Sequence, residues 1–469
     1  MENLDDFVSQ LNQIVQKQDA PKNLVVDPVL PLSAASTAVV STAATVAAVT
    51  VPVAVEGQRT IKVMIVSTHT NQANGYSKVA YNLIQQLAAH SWIQVVHFGT
   101  QKILNGDLGR TCPPSVKLID ATALEKQAQK QAGFAFAELP GVIQSEKPDV
   151  VFLYNDLSIV CGYIEEIRKT VTERPFKIWA YVDITYKSPP QQMIDILNRD
   201  VERVFCFTKG WKEQIKSQGI TRPVDVLNHG VDTKMFRTIP RDLARQTLGL
   251  PKDMFLFLSI NKNIPRKRLD LLIISFVKLI VRFPVKPIFL LIVADKGDLG
   301  GYPLFEIFAR EIKLQGASVD TFGNRLLITS KDTCYRDEDI NLLYNSADAG
   351  VSCADGEGVG LCTFEGMATG VPQIVPSIQG YSEYCTEQNA MMVKPKMRFY
   401  IPQAHNVVSG EAEMVDTDDY AKAMERYVFD EDMRKLHGKN AKETVTAYTW
   451  EKCCAVLLKR LKTLQEEDD

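Results

Sequence analysis

Ala354–Pro372 reads ADGEGVGLCTFEGMATGVP, directly after the short, largely apolar run Ala349–Ser352. Gly356, Gly358 and Gly360 make a loop of permissive backbone. Leu361–Thr369 has the composition of a helix, Gly370 stands where a helix end favours a left-handed residue, and Pro372 follows. The stretch predicts strand, glycine loop, helix. Such a loop presents backbone N–H groups and the positive end of a helix dipole, an anion site suited to a phosphate or diphosphate.

The same alternation extends upstream. Phe255–Ile260, Ile288–Ala294, Arg325–Thr329, Ala349–Ser352 and Gln373–Val375 are apolar runs of strand length, and Leu269–Arg282 and Pro303–Leu314 have helical periodicity between them. Three helical stretches, 417–428, 431–446 and 450–465, close the chain. Before the charged stretch Thr238–Asp253 lies an earlier series of strands: Ile61–Ser67 (IKVMIVS), Ile93–Phe98, Val116–Ile119, Val150–Tyr154, Ile178–Val182, Val204–Phe207 and Val224–Leu227. A polar loop containing Gly75 and an amphipathic helix, Lys78–Ala89, follow the first of these. Apolar strands alternating with helices define an α/β chain with doubly wound parallel sheets. Two such units in tandem place a cleft between them, at the C-terminal ends of the strands.

The length of 469 residues supports this division, since domains run about 100–200 residues. The expected organisation is an amphipathic helix over 1–18, a flexible Ala/Val/Thr/Pro-rich linker over 19–58, Rossmann-like domains over 59–235 and 236–447, and a crossover helix with acidic tail over 448–469. The first helix stripes Leu4, Phe7, Val8, Leu11, Ile14 and Val15 along one face. Its opposite face carries Asp5, Asp6, Ser9, Gln10, Asn12 and Gln13, where a lipid-binding helix would be basic, which fits docking on protein better than on lipid. No charge occurs from Pro28 to Val55, but Ser and Thr are frequent and Leu, Ile and Phe scarce, so this segment reads as linker and not as a membrane span. A net charge of -3 gives no global field for nucleic acid. Nine cysteines without a CxxC pair read as reduced thiols, and no basic leader precedes an apolar run, so a cytoplasmic protein is expected.

Glu357 and Glu365 flank the glycine loop. A hydrolytic carboxylate pair stands about 5–9.5 Å apart, whereas eight helical residues would separate these two by about 12 Å. Separate tasks are expected of them. Lys262, Arg266, Lys267 and Arg268 form a basic loop after a strand, a local run of charge that the near-neutral whole does not explain. Asp337-Glu338-Asp339 matches a metal-binding DxD, yet it precedes a helical pattern at 340–346, where capping and dipole complementarity explain it, so no metal site is expected. His229, in a connector between the units, is read as a turn or hinge residue, and His69 as a lesser acceptor-side candidate.

The segment E-G-V-G-L-x-x-x-E-G-M-A-x-G-V-P resembles the signature of the retaining GT-B glycosyltransferases of family 4 (glycosyl transferases group 1). Asn228-His229-Gly230-Val231-Asp232 with Phe236 is similar to that family's interdomain segment, Leu258–Leu272 to its strand and basic loop, and Tyr448–Glu451 to the start of its closing helix, which crosses back to the first domain. The likeness covers roughly residues 61–465. It implies a GT-B fold of two Rossmann-like domains facing a cleft. It further implies a hexosyltransferase that moves a glucose- or mannose-type unit from a UDP- or GDP-sugar to a glycan or other hydroxyl acceptor, with retention and without a metal or other cofactor.

By the same resemblance Glu357 contacts the donor sugar and the backbone of Gly358, Val359, Gly360 and Leu361 holds sugar and diphosphate. Glu365 takes the ribose, Lys262 and Lys267 the diphosphate, and Gly75 lets the first domain approach it. Members of the family carry a His near the sugar. Ile178–Tyr186 (IWAYVDITY) has none, and Asp183 is the substitute, as base or positioning group. Asn155 and Asp156 are expected at the cleft or as a helix cap. Expected partners are the nucleotide sugar, the acceptor and, through the N-terminal helix, a protein or a second copy; membrane association is at most peripheral. An inactive scaffold with this fold and a nucleic-acid base glucosyltransferase are the alternatives.

Overall fold

The computed structural model describes residues 59–103, 107–125, 131–294, 301–329, 335–402 and 408–467. The expected helix at 1–18, the linker at 19–58, Cys334 and the last two acidic residues lie outside the described residues.

Seven strands build a parallel sheet: β1 (Ile61–Thr68), β2 (Ile93–Thr100), β3 (Lys117–Asp120), β4 (Val150–Asp156), β5 (Lys177–Asp183), β6 (Arg203–Cys206) and β7 (Val224–Val226), in the order β3-β2-β1-β4-β5-β6-β7. Six more form a second parallel sheet: β8 (Phe255–Ile260), β9 (Ile288–Val293), β10 (Leu326–Ile328), β11 (Ala349–Val351), β12 (Gln373–Pro376) and β13 (Met391–Val393), in the order β10-β9-β8-β11-β12-β13. Both follow the doubly wound 3-2-1-4-5-6 arrangement. The direction in which successive strands are added reverses between β1 and β4 in one sheet and between β8 and β11 in the other. A crevice opens at each reversal, and the two crevices face one another.

Helices α1 (Gly75–Ala88), α2 (Lys209–Ser217), α3 (Leu269–Arg282), α4 (Asp337–Ser346), α5 (Leu361–Ala368) and α6 (Trp450–Glu467) position the cleft. Helix α1 begins three residues before the expected Lys78. Asn74 accepts a hydrogen bond from the Ser77 N–H at 2.9 Å and so caps it. Helix α5 ends as its sequence predicts: Gly370 has φ +89°, its N–H reaches the Met367 carbonyl and that of Val371 the Gly366 carbonyl, a Schellman ending. Helix α6 returns to the first lobe. It buries Cys454, Leu457, Leu461 and Leu464 in one cluster with Val79, Leu83 and Leu87 of α1, and Arg460 pairs with Asp225 of β7 at 2.8 Å.

Strand β13 and an antiparallel ribbon, β14 (Pro395–Ile401) with β15 (Gly410–Val415), fall where the sequence predicted no strand. Strand β13 is only three residues long, and β14 (PKMRFYI) mixes charges with apolar residues along a largely exposed strand. The ribbon leans across to the first lobe, where the Glu411 N–H donates to the Lys187 carbonyl at 2.8 Å.

Candidate functional site

The glycine loop sits at the second reversal point, between β11 and α5. Side chains pin its carbonyls: the Trp211 indole of α2 donates to Gly358 O at 2.8 Å and the Tyr384 hydroxyl to Val359 O at 2.7 Å. Among the described residues no backbone or side-chain acceptor takes the N–H groups of Val359, Gly360 and Leu361. Gly360, at φ +80°, turns the chain into α5. The first turn of α5 carries no acidic residue, and neither does that of α1, which starts directly opposite. A Cβ on Gly75 would lie 3.6 Å from Leu361 Cδ2, so two helix N-termini meet across the cleft with their positive ends.

Glu357 is the buried hub of the second lobe. Arg266 reaches it at 2.8 Å, and Lys267 forms a second, short contact. Burial alone would raise the pKa of this carboxyl, but Lys267 and Arg266 hold it down to about 2. Arg266 thus joins Lys267 on Glu357, a contact that the sequence did not indicate. Lys262 is exposed, lies within electrostatic reach of Asp156, and makes no ion pair among the described residues.

At the opposing reversal point Asp156 and Asp183 are adjacent in the β4–β5 register. The Tyr76 hydroxyl lies 2.8 Å from Asp156 Oδ1 and 2.7 Å from Asp183 Oδ2. One phenolic proton serves one carboxylate at a time, so the two acids contend for it. Burial first, and then repulsion from Asp156, lift the Asp183 pKa to about 7. Asp156 occupies the cap position of the next helix, yet its side chain makes no capping bond and turns to Tyr76 instead. Asn155 is buried beneath it and accepts from the Asp156 N–H. Asp183 abuts the glycine loop: a Cβ on Gly358 would meet Asp183 Oδ1 at 2.0 Å, so only glycine admits this approach.

Further into the cleft Lys78 of α1 pairs with Glu365 at 2.7 Å and with Asp337 at 3.2 Å. Tyr344 donates to Glu365 at 3.1 Å, and Arg110 grips Asp337 through two nitrogens. Burial raises the Glu365 pKa against the pull of Lys78, while Lys78 and Arg110 overcome burial to bring Asp337 down to about 2. Asp337 thus holds two cations of the first lobe, and Asp339 accepts from the Arg336 N–H at the start of α4. The capping role expected of the DxD match falls to Asp339, whereas the ion pairs of Asp337 were not expected. Between these groups remains a cavity of about 160 Å³, below the roughly 300–1,000 Å³ of a small-molecule site. Anion ligands and cations of the cleft satisfy one another here.

His229 is buried among Phe207, Tyr181, Tyr154 and Trp450, and burial lowers its pKa to about 3. Neither ring nitrogen has a partner among the described residues, so it is a packed aromatic at the hinge, with no hydrogen bond to a turn. His69 accepts from the Asn71 N–H and lies against Gly99, folded into its own loop. Tyr76, Lys78, Arg110, Trp211 and the Arg266 contact were not read from the sequence. The nearest signal was the position of Tyr76 and Lys78 beside Gly75.

The fold and the paired reversal-point crevices define the GT-B class of α/β architecture. No family model matches the chain. A similar curated protein is the lipopolysaccharide core biosynthesis mannosyltransferase LpsB of Rhizobium meliloti (strain 1021), 29% identical over 232 residues. The match covers 45% of this chain and 62% of that protein, so this chain spans less than two thirds of its relative. Sucrose-phosphate synthase from Thermosynechococcus elongatus superposes with a TM-score of 0.65 at 16% identity, over 86% of this chain and 99% of that one. Anabaena HepE in complex with UDP and glucose gives 0.63 at 14% identity, over 86% and 99%. Among the described residues no helix is long and apolar enough to cross a membrane, and no three His, Cys, Asp or Glu side chains group to hold a metal ion.

Proposed function

We propose that this chain is a glycosyltransferase that moves a glucose- or mannose-type hexose from a UDP- or GDP-sugar to a glycan or other hydroxyl acceptor, with retention of configuration. The observation that carries the reading is the convergence of Arg266 and Lys267 on Glu357, beneath a loop with three unclaimed N–H groups and opposite a second helix N-terminus. The names of LpsB and of the HepE complex with UDP and glucose support the donor class.

In this reading the cations leave Glu357 for the diphosphate, and Glu357 accepts from the sugar hydroxyls. Glu365 exchanges Lys78 for the ribose, and Gly75 leaves room for the diphosphate. Lys262 extends the cation field. The bond from the anomeric carbon to the diphosphate oxygen breaks as the acceptor oxygen attacks from the same face, and the acceptor proton passes to the leaving phosphate. Asp183 orients the acceptor or sugar hydroxyl beside this step. Clustered Lys and Arg would supply the charge stabilisation that a divalent cation gives elsewhere, so the reaction is proposed to be metal-independent. The lobes must part to admit the donor and close again to exclude water.

The mutual satisfaction of the cleft's ions also fits a binding scaffold that never opens. A donor screen separates the two. Purified protein is incubated with UDP- and GDP-hexoses and several hydroxyl acceptors, with and without chelator, and nucleoside diphosphate is quantified. Release from one donor, unchanged by chelator and lost in Glu357→Ala, is expected. Absence of both release and nucleotide binding would overturn the proposal in favour of the scaffold.

A further inference from the structure

The β14–β15 ribbon forms one wall of the narrow opening that leads to Glu357. Lys187, Trp211, Glu357, Glu411 and Glu413 line that opening. The ribbon is fixed there from both lobes: Glu411 N–H donates to Lys187 O, Glu413 N–H donates to Asp355 O at 3.0 Å, and the Glu413 carboxylate pairs with Lys187 at 2.8 Å. Tyr400 stands opposite Glu411 and Arg398 opposite Glu413. Directly opposed residues share a face, as do alternate residues of one strand. Arg398, Tyr400, Glu411 and Glu413 therefore form a single surface, and an Arg398–Glu411 contact of 3.6 Å agrees with this. Met397 and Met414 belong to the other face. Tyr400 is 68% exposed. An exposed aromatic ring, two carboxylates and a guanidinium thus run outward from the mouth of the site.

We propose that this face is an acceptor subsite for a neutral oligosaccharide, which stacks a sugar ring on Tyr400 and gives its hydroxyls to Glu411 and Glu413. Lys187 and Arg398 balance the two carboxylates, leaving no net charge to attract a phosphorylated or nucleic-acid acceptor. The opening holds only about 10 Å³ with the lobes closed, so the chain enters it end-on, its terminal hydroxyl towards Glu357, once the lobes have parted. This inference rests on the transferase reading above and narrows its acceptor to a glycan of several units.

Calorimetric titration of the full chain with maltoheptaose and with a linear α-mannohexaose, in the presence of UDP, tests it. One of the two binds, Tyr400→Ala weakens it about tenfold, Arg398→Ala weakens it in the same direction, and Met397→Ala on the opposite face binds as wild type does. Equal affinity of Tyr400→Ala and wild type overturns the subsite, as does a protein that binds UDP-hexose but neither oligosaccharide. Tyr400-dependent oligosaccharide binding without any nucleotide-sugar binding keeps the subsite and overturns the transferase reading instead.

Discussion

The two reversal points of this molecule share a topology and differ in chemistry. At β1/β4 the ends of β4 and β5 bring two carboxylates to a tyrosine of α1, whose single proton both contend for. At β8/β11 they deliver a carboxylate under two cations and a loop of unclaimed N–H groups. The frame is the same, so the difference lies in a handful of loop residues. The fold supplies two facing sockets, and the residues at their rims decide which is built for anions.

The sharpest way to break this comparison is at Glu357. Glu357→Ala leaves the half-buried Arg266 and Lys267 without their anion, which should cost at most about 3 kcal/mol of stability, read by denaturant unfolding. Nucleoside diphosphate release should fall by about 10²–10³-fold; a variant that folds and turns over normally would show that the cationic socket is not a donor site. Lys267→Met should lower kcat/KM by about 10²-fold, since one of two cations remains, and Lys262→Met by less.

Asp183 sharpens the other side. Its folded pKa of about 7 stands above the ordinary 3.8, so the folded form holds the proton that the unfolded chain gives up. Its stabilising contribution is complete below the unfolded value and is lost as pH rises through 7. Wild type should therefore lose more stability than Asp183→Asn between pH 5 and pH 8, and parallel curves would remove the shared-proton picture. The smallest effect is expected at Asp337. Asp337→Asn should keep activity within about fivefold and its insensitivity to chelator, whereas a far larger loss would restore the metal reading of the DxD match.

The sheets were legible because buried parallel strands read as apolar runs, and IKVMIVS at 61–67 could scarcely be anything else. Glu357, Glu365, Lys267 and the glycine loop were legible because they lie within two short segments. Tyr76 with Asp183, Lys78 with Glu365, and Trp211 with Gly358 were not, since these pairs are 107, 287 and 147 residues apart; the first meets only once the first lobe has folded, the other two only once both lobes have. The ribbon was missed for a local reason: its alternation of Lys, Arg and Tyr with apolar residues marks a strand that buries little.

Helix α6 carries a consequence for biosynthesis. The first lobe emerges from the ribosome first, but the groove beside α1 stays uncovered until Trp450–Glu467 follows. An early lobe with exposed Val79, Leu83 and Leu87 would have to wait through the making of the whole second lobe. A chain stalled before residue 450 would thus present an apolar face to chaperones rather than a finished half-enzyme.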